Sequence, residues 1–355
     1  MAAAAPGIPV APRESEKSLA GSAKAASRKL ASLRLQASHQ PRSTPAESLK
    51  ASACEAFGES QGAQASLPIP GALDTNSLMA YREAVQGDQA GPLPRSARRY
   101  RYLFVPGINW DSLPNYFKPN IRRLRHLGLK ASFVKTEPIG SSQVNASIIR
   151  KAISRSEMPV VLIGHSKGAL DAMQALVLFP KLQNRVSRLV ALQAPYRGTA
   201  VADWFLSHPL IRNSAIALMR LLKPLRLWGP SPDLQGVLES LSLERRQALE
   251  SLPLRKGIRL FSLVTRVSEE TQARLLMRLT AAAVRTLGGR DSDGVVVPEQ
   301  AVLPGSRYAL LEHAGHIDTV ADPSNWKHRT FAVRGHDPDF AADLTEALVR
   351  WIFSR

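Results

Sequence analysis

The sequence predicts an α/β protein built on a mostly parallel, doubly wound sheet, with a helical cap inserted between two of the strands. Three observations predict it. From residue 100 onward, short apolar runs alternate with amphipathic stretches, the pattern of a parallel sheet covered by helices. Between residues 203 and 255 the alternation stops and longer apolar segments replace it. Strand-like runs then return, and the chain closes on an amphipathic helix over 339–353 with Phe340, Leu344, Leu348 and Trp351 on one side.

In chain order, residues 1–95 come first, rich in Ala, Ser and Pro and poor in the large apolar side chains a core requires. They read as a disordered or low-complexity region ahead of one domain spanning 96–355. Up to Arg99 the basic and acidic residues number 12 and 8, so most of the net charge of +18 belongs to the domain. No nucleic-acid signature or aromatic stripe accompanies that charge, so nucleic acid is not an expected partner. Peripheral contact with an anionic membrane or with a polyanionic partner is one reading of a basic surface, and a solvated basic exterior with no partner is the other. Cys54, the single cysteine, leaves no intramolecular disulfide to form. No apolar run approaches the length of a membrane helix, and the first residues lack the apolar centre of a secretory signal. Residues 18–36, basic and without acids, resemble an organelle transit peptide or an unstructured export signal, the alternative being a low-complexity linker with no address. A cytoplasmic or organellar location is the expectation.

Strands are expected at 100–105, 129–134, 160–164, 186–192, 258–264 and 307–311. Helices are expected at 115–127, from Ile121, Leu124 and Leu127, and at 143–154, from Ile148, Ile149 and Ile153. Within the insertion, 216–222 reads as helix and 225–228 lies beyond the break imposed by Pro224.

The chemistry is concentrated at the ends of these strands. Gly164-His165-Ser166-Lys167-Gly168 follows a β-branched run and opens a helix through Ala172, Ala175, Leu176 and Phe179, the setting of a nucleophile elbow. The turn must be sharp enough to expose the serine oxygen, and the elbow glycines Gly164 and Gly168 leave it room. The backbone N–H of Lys167, at the helix start, is one candidate oxyanion donor, and its side chain is given no role. The second candidate donor is the N–H of Ile108, just past the strand ending Val105-Pro106-Gly107.

A serine needs a base and a carboxylate to orient that base, here expected in the order Ser, Asp, His. Asp293, before a glycine and a β-branched pair, is favoured as the acid over Asp291. His316, after Gly315 on the loop beyond the last strand, is favoured as the base over His313, while His328 and His336 read as surface residues. His165 reads as a packing and hydrogen-bonding residue.

Together with Ala194-Pro195-Tyr196-Arg197-Gly198-Thr199, Asp293-Gly294-Val295-Val296 and Gly315-His316-Ile317-Asp318, these segments resemble the bacterial triacylglycerol lipases and esterases of the α/β-hydrolase superfamily, over about residues 100–322. The resemblance implies the α/β-hydrolase fold, serine ester hydrolysis with Ser166, Asp293 and His316 as triad, and a mobile lid. Pro106 replaces the His that many lipases carry before the glycine, and Tyr196 replaces another. The resemblance also raises a calcium site at Asp318, but its second carboxylate is not evident at matching distance, Glu269 and Glu270 being merely near. No cofactor is required, and a structural hydrogen bond is the preferred role for Asp318.

The leading expectation is therefore a serine hydrolase acting on lipid or acyl esters, with the apolar cap taking the acyl chain. An acyltransferase using the same triad is the alternative within enzymes. A catalytically silent hydrolase-fold binding protein is the alternative outside them.

Overall fold

The structure is a computed structural model, and it describes residues 71–113, 115–221, 232–242, 246, 254–267, 292–322 and 339–354. All of these fall within one compact unit, Gln64–Arg355. Its centre is a seven-stranded sheet of β1 (Gly71–Leu73), β2 (Arg101–Val105), β3 (Lys130–Phe133), β4 (Val160–His165), β5 (Val186–Leu192), β6 (Arg259–Arg266) and β7 (Ser306–Glu312). Their spatial order is β1-β7-β6-β5-β4-β2-β3, and every neighbouring pair is parallel.

Strand alternation sends side chains to both faces, and both are covered. Tyr102, Phe104, Val161, Ile163, Val190 and Leu263 pack in one core. That core also takes side chains from α1 (Thr75–Gln86), α2 (Lys118–His126) and α9 (Phe340–Phe353). Leu103, Val105, Leu162, Leu189 and Ala191 pack in the other, against α3 (Ser142–Ser154) and α4 (Lys167–Leu178). Near-continuous apolar runs such as 160–163 are what a strand buried on both faces requires. The doubly wound parallel sheet is thus the one the alternation predicted.

One boundary moves. Residues 71–95, assigned from composition to the low-complexity region, belong to the fold. β1 pairs with β7 in register Gly71↔Ser306, and Leu78 of α1 is fully buried in the core. Asp74, between them, accepts from Trp351 Nε1 at 2.9 Å and pairs with Arg307. Burial opposes the Asp74 charge, but the bonds from Ser77, Trp351 and Arg307 outweigh it and hold the carboxyl below its ordinary pKa. Residues 1–63 lie outside the described residues.

The insertion leaves the C-terminal end of β5 and is helical where described: α5 (Ala200–Ser207), α6 (Pro209–Leu221) and α7 (Leu234–Leu241). Thr199 caps α5 by accepting from Ala202 N–H, and Asp233 caps α7 by accepting from Gly236 N–H. Trp228 and the side chains of Leu218 and Met219, within the apolar runs of the expected cap, lie outside the described residues. A short helix, α8 (Pro298–Ala301), precedes β7. Among the described residues no helix is long and apolar enough to cross a membrane.

Candidate active site

The site is assembled at the C-terminal ends of β2, β4, β6 and β7. Between β4 and α4, Ser166 adopts φ 52°, ψ −131°, a region that only glycine enters without strain. Its N–H donates to Leu192 O at 2.8 Å, which ties the turn to the end of β5. A Cβ on Gly164 would lie 2.4 Å from Ala169 Cα, and one on Gly168 would lie 2.3 Å from Pro106 O. Both contacts are with backbone that cannot yield, so the two glycines follow directly from the tightness of the turn.

Asp293 and His316, 23 residues apart in the chain, one after β6 and one after β7, are brought together. His316 Nδ1 donates to Asp293 Oδ2 at 2.8 Å, and His316 N–H donates to Asp293 O at 2.9 Å, so side chain and backbone both fix the pair. The other carboxylate oxygen, Oδ1, accepts from the N–H groups of Val295 and Val296, and Thr265 Oγ1 donates to Oδ2 at 3.3 Å. Both residues are buried, and His316 Nε2 is the ring nitrogen left for a proton from elsewhere. No hydrogen bond joins Ser166 to His316 here, as is common before a substrate orders such a pair. His313 sits at the end of β7, exposed, at φ 62°; Asp291, His328 and His336 lie outside the described residues.

Gly107 brings the β2 loop against Ser166. A Cβ there would lie 3.1 Å from Ser166 Cβ and 3.0 Å from Tyr116 Oη. The Ile108 N–H finds no acceptor among the described residues, and Lys167, as the first residue of α4, has no carbonyl one turn back for its own. Lys167 follows the serine directly, and Gly107, next to Ile108, packs against it.

A polar network that sequence reasoning missed supports this arrangement. Gly107 N–H donates to Tyr116 Oη at 3.3 Å, and Tyr116 Oη lies 2.5 Å from His165 Nδ1. His165 Nε2 lies 2.7 Å from His316 O and 3.1 Å from Gln193 Oε1. A carbonyl only accepts, so Nε2 carries the proton and Nδ1 accepts from the tyrosine, a tautomer assigned from its partners. Burial, with the His316 ring beside it, pushes the His165 pKa well below the ordinary histidine value, and burial raises that of Tyr116. Both groups therefore stay neutral. Gln193, buried at φ 50°, accepts from Thr319 Oγ1 and donates to Gly315 O and Thr265 Oγ1. The loop after β2, the turn at Ser166 and the loop carrying His316 are thus linked through satisfied buried bonds. Gly107 and Tyr116 are 9 residues apart, but the other bonds span 28 to 151 residues, so no local spacing announces the network.

Asp318 Oδ2 accepts from Gly315 N–H at 2.7 Å, closing the histidine loop. Among the described residues no group of three or more His, Cys, Asp or Glu forms a metal cage, and Glu269 and Glu270 lie outside them.

No protein-family model matches the chain, and no curated protein sequence matches it. Solved structures do. A metagenomic carboxyl esterase superposes with a TM-score of 0.67 at 19% identity, over 84% of this chain and 98% of that one. Staphylococcus hyicus lipase superposes with a TM-score of 0.57 at 12% identity, over 73% of this chain and 97% of that one. A parallel sheet of this order, carrying an elbow between β4 and α4 and sharing its course with these structures, gives the chain the α/β-hydrolase fold, and in structure it resembles the bacterial lipases and esterases.

Proposed function

We propose that this protein hydrolyses carboxylic esters through Ser166, His316 and Asp293. The observation that carries the reading is a serine on a strained strand-to-helix turn beside a buried His–Asp pair at 2.8 Å. His316 Nε2 takes the Ser166 proton as Oγ attacks the ester carbonyl, and Asp293 holds the Nδ1–H toward itself and stabilises the imidazolium that forms. The Ile108 and Lys167 N–H groups receive the oxyanion, worth about 10²–10³ in rate per donor in such sites. The imidazolium then protonates the departing alcohol, and water, activated by the same histidine, releases the acid. The chain supplies every group these steps need.

The proposed substrate class is acyl esters with an apolar acyl chain, at a membrane or in lipid. Support comes from the lipase and esterase names of the similar structures and from the insertion beside the site, where Leu210 is 84% exposed. The basic charge of the domain fits an anionic lipid surface.

The test is labelling by a fluorophosphonate together with turnover of p-nitrophenyl esters from acetate to long chains. The wild type should be labelled and active, and Ser166→Ala should lose both while keeping its melting temperature. Unlabelled but folded wild-type protein, inert on every ester, would return the chain to a silent binding scaffold.

A further inference from the structure

The proposed mechanism uses the backbone of Lys167 and leaves its side chain aside, yet that side chain is buried. Lys167 Nζ pairs with Asp171 Oδ1 at 2.7 Å, one turn along α4, and the two side chains are 3% and 2% exposed. Taking two charges out of water costs several kcal/mol per ion, and an apolar pair at the same helical spacing would commonly serve stability as well. The ion pair therefore calls for another explanation, and the rest of the carboxylate supplies one.

Asp171 Oδ1 also accepts from Ser142 Oγ at 2.6 Å, and Oδ2 accepts from Asn145 Nδ2 at 2.7 Å. Asn145 in turn grips the loop after β3: its Oδ1 accepts from Glu137 N–H at 2.9 Å and its Nδ2 donates to Glu137 O at 3.2 Å. The next residues hold the oxyanion loop. Pro138 O accepts from Asn109 N–H at 2.8 Å, and Thr136 O accepts from Trp110 Nε1 at 3.1 Å. Asn109 directly follows Ile108. Ile139 O accepts from Asp233 N–H, at the start of insertion helix α7.

We infer that the Lys167–Asp171 pair, acting through Asn145 and the 136–139 backbone, is a positioning device that sets the two oxyanion donors relative to each other. One residue thus offers its N–H to the oxyanion and, through its side chain, holds the loop that offers the other. The cap helix α7 hangs from the same loop, so the arrangement also links the insertion to the oxyanion hole. The inference rests on the proposed hydrolase reading and names residues that act through others without touching substrate.

The experiment compares Asn145→Ala, which cuts the link while leaving both ions paired, and Lys167→Met with Asp171→Leu, which replaces the pair by apolar side chains. Glu346→Gln is the control: it disturbs another buried ion pair, with Arg350, on α9. Each variant is assayed for melting temperature, kcat and KM on one ester, and inhibition by a trifluoromethyl ketone, whose adduct carries an oxyanion. Both positioning variants should lose about 10- to 100-fold in kcat, less than the loss of a whole donor, with KM within about threefold and ketone affinity falling in parallel with kcat. The control should lose stability and keep kcat. The inference is overturned if the positioning variants lower the melting temperature like the control while kcat stays within about twofold, or if KM moves and ketone affinity does not. Should one variant fail to fold, the other decides. Failure of the wild type to label at Ser166 is a separate result, and it sinks the hydrolase reading and this linkage together.

Discussion

The elbow and the insertion are built on opposite terms. From Val160 to Met173 every residue is buried, and the backbone around Ser166 is confined so closely that two positions admit only glycine. In α5 only Ala202 is buried, while at the start of α6 Leu210 and Ile211 are 84% and 44% exposed. Where atoms are jammed, neighbours dictate residue identity and side chains are held to within tenths of an ångström, as the proposed chemistry needs. Where apolar side chains face outward, composition is free to change and substrate preference can be tuned without disturbing the fold.

Three variants test that contrast. The largest effect is expected from Asp293→Asn. Its Oδ1 can still accept from Val295 and Val296, but an amide facing His316 Nδ1 favours the wrong tautomer. Loss in kcat should be about 10⁴-fold, the value known for this change in triads. Steady-state kinetics on a folded variant checks it, and a loss under tenfold would move the base away from His316.

Next comes Ser166→Gly, which removes the nucleophile and the strained φ together. Releasing a non-glycine residue from this region is worth about 1–3 kcal/mol, offset by about 0.5–1 kcal/mol of glycine's chain entropy. Calorimetry should show a dead protein that melts a few degrees above wild type. An unchanged or lower melting temperature would mean the elbow stores no strain.

The smallest effect on stability is expected from Leu210→Ser with Ile211→Ser, within about 0.5 kcal/mol per site because both side chains already meet water. Turnover of acetyl esters should be preserved. The rise in kcat/KM with acyl length should flatten, each methylene buried being worth about 0.8 kcal/mol. An equal fall at all chain lengths would give these residues a packing role and weaken the case for an acyl surface.

How far the sequence could be read follows the same division. Gly164, Ser166 and Gly168 were legible because the steric demand of the elbow is local, lying within five residues. Asp293 and His316 were legible from chain order after predicted strands. His165 was legible as a hydrogen-bonding residue but its partners were not, and Tyr116 and Gln193 were not legible at all, since their bonds to it cross 49 and 28 residues and a buried amide looks like any other in sequence. Asp171 stands four residues after Lys167, a visible helical pair, but only burial distinguishes it from a solvated one. β1 left no trace either: Gly71-Ala72-Leu73 has no alternation to read, because the strand joins the sheet by backbone bonds and leaves Leu73 62% exposed. The α/β alternation from residue 100 was legible for the opposite reason, its side chains being sorted to two buried faces.

The seat of β1 also bears on the order in which the protein is made. Its partner strand lies about 235 residues later in the chain, Leu310 N–H for instance donating to Thr75 Oγ1 across that separation. A strand emerging first from the ribosome can find no template until almost the whole domain has followed it. Closing so long a loop adds an entropic cost that grows as about (3/2)RT ln n and must be met before pairing returns anything. Pairings of this kind form late and slowly. During synthesis β1 must therefore wait unpaired until β7 has emerged, and the residues that end up completing the sheet are the earliest translated of those in it.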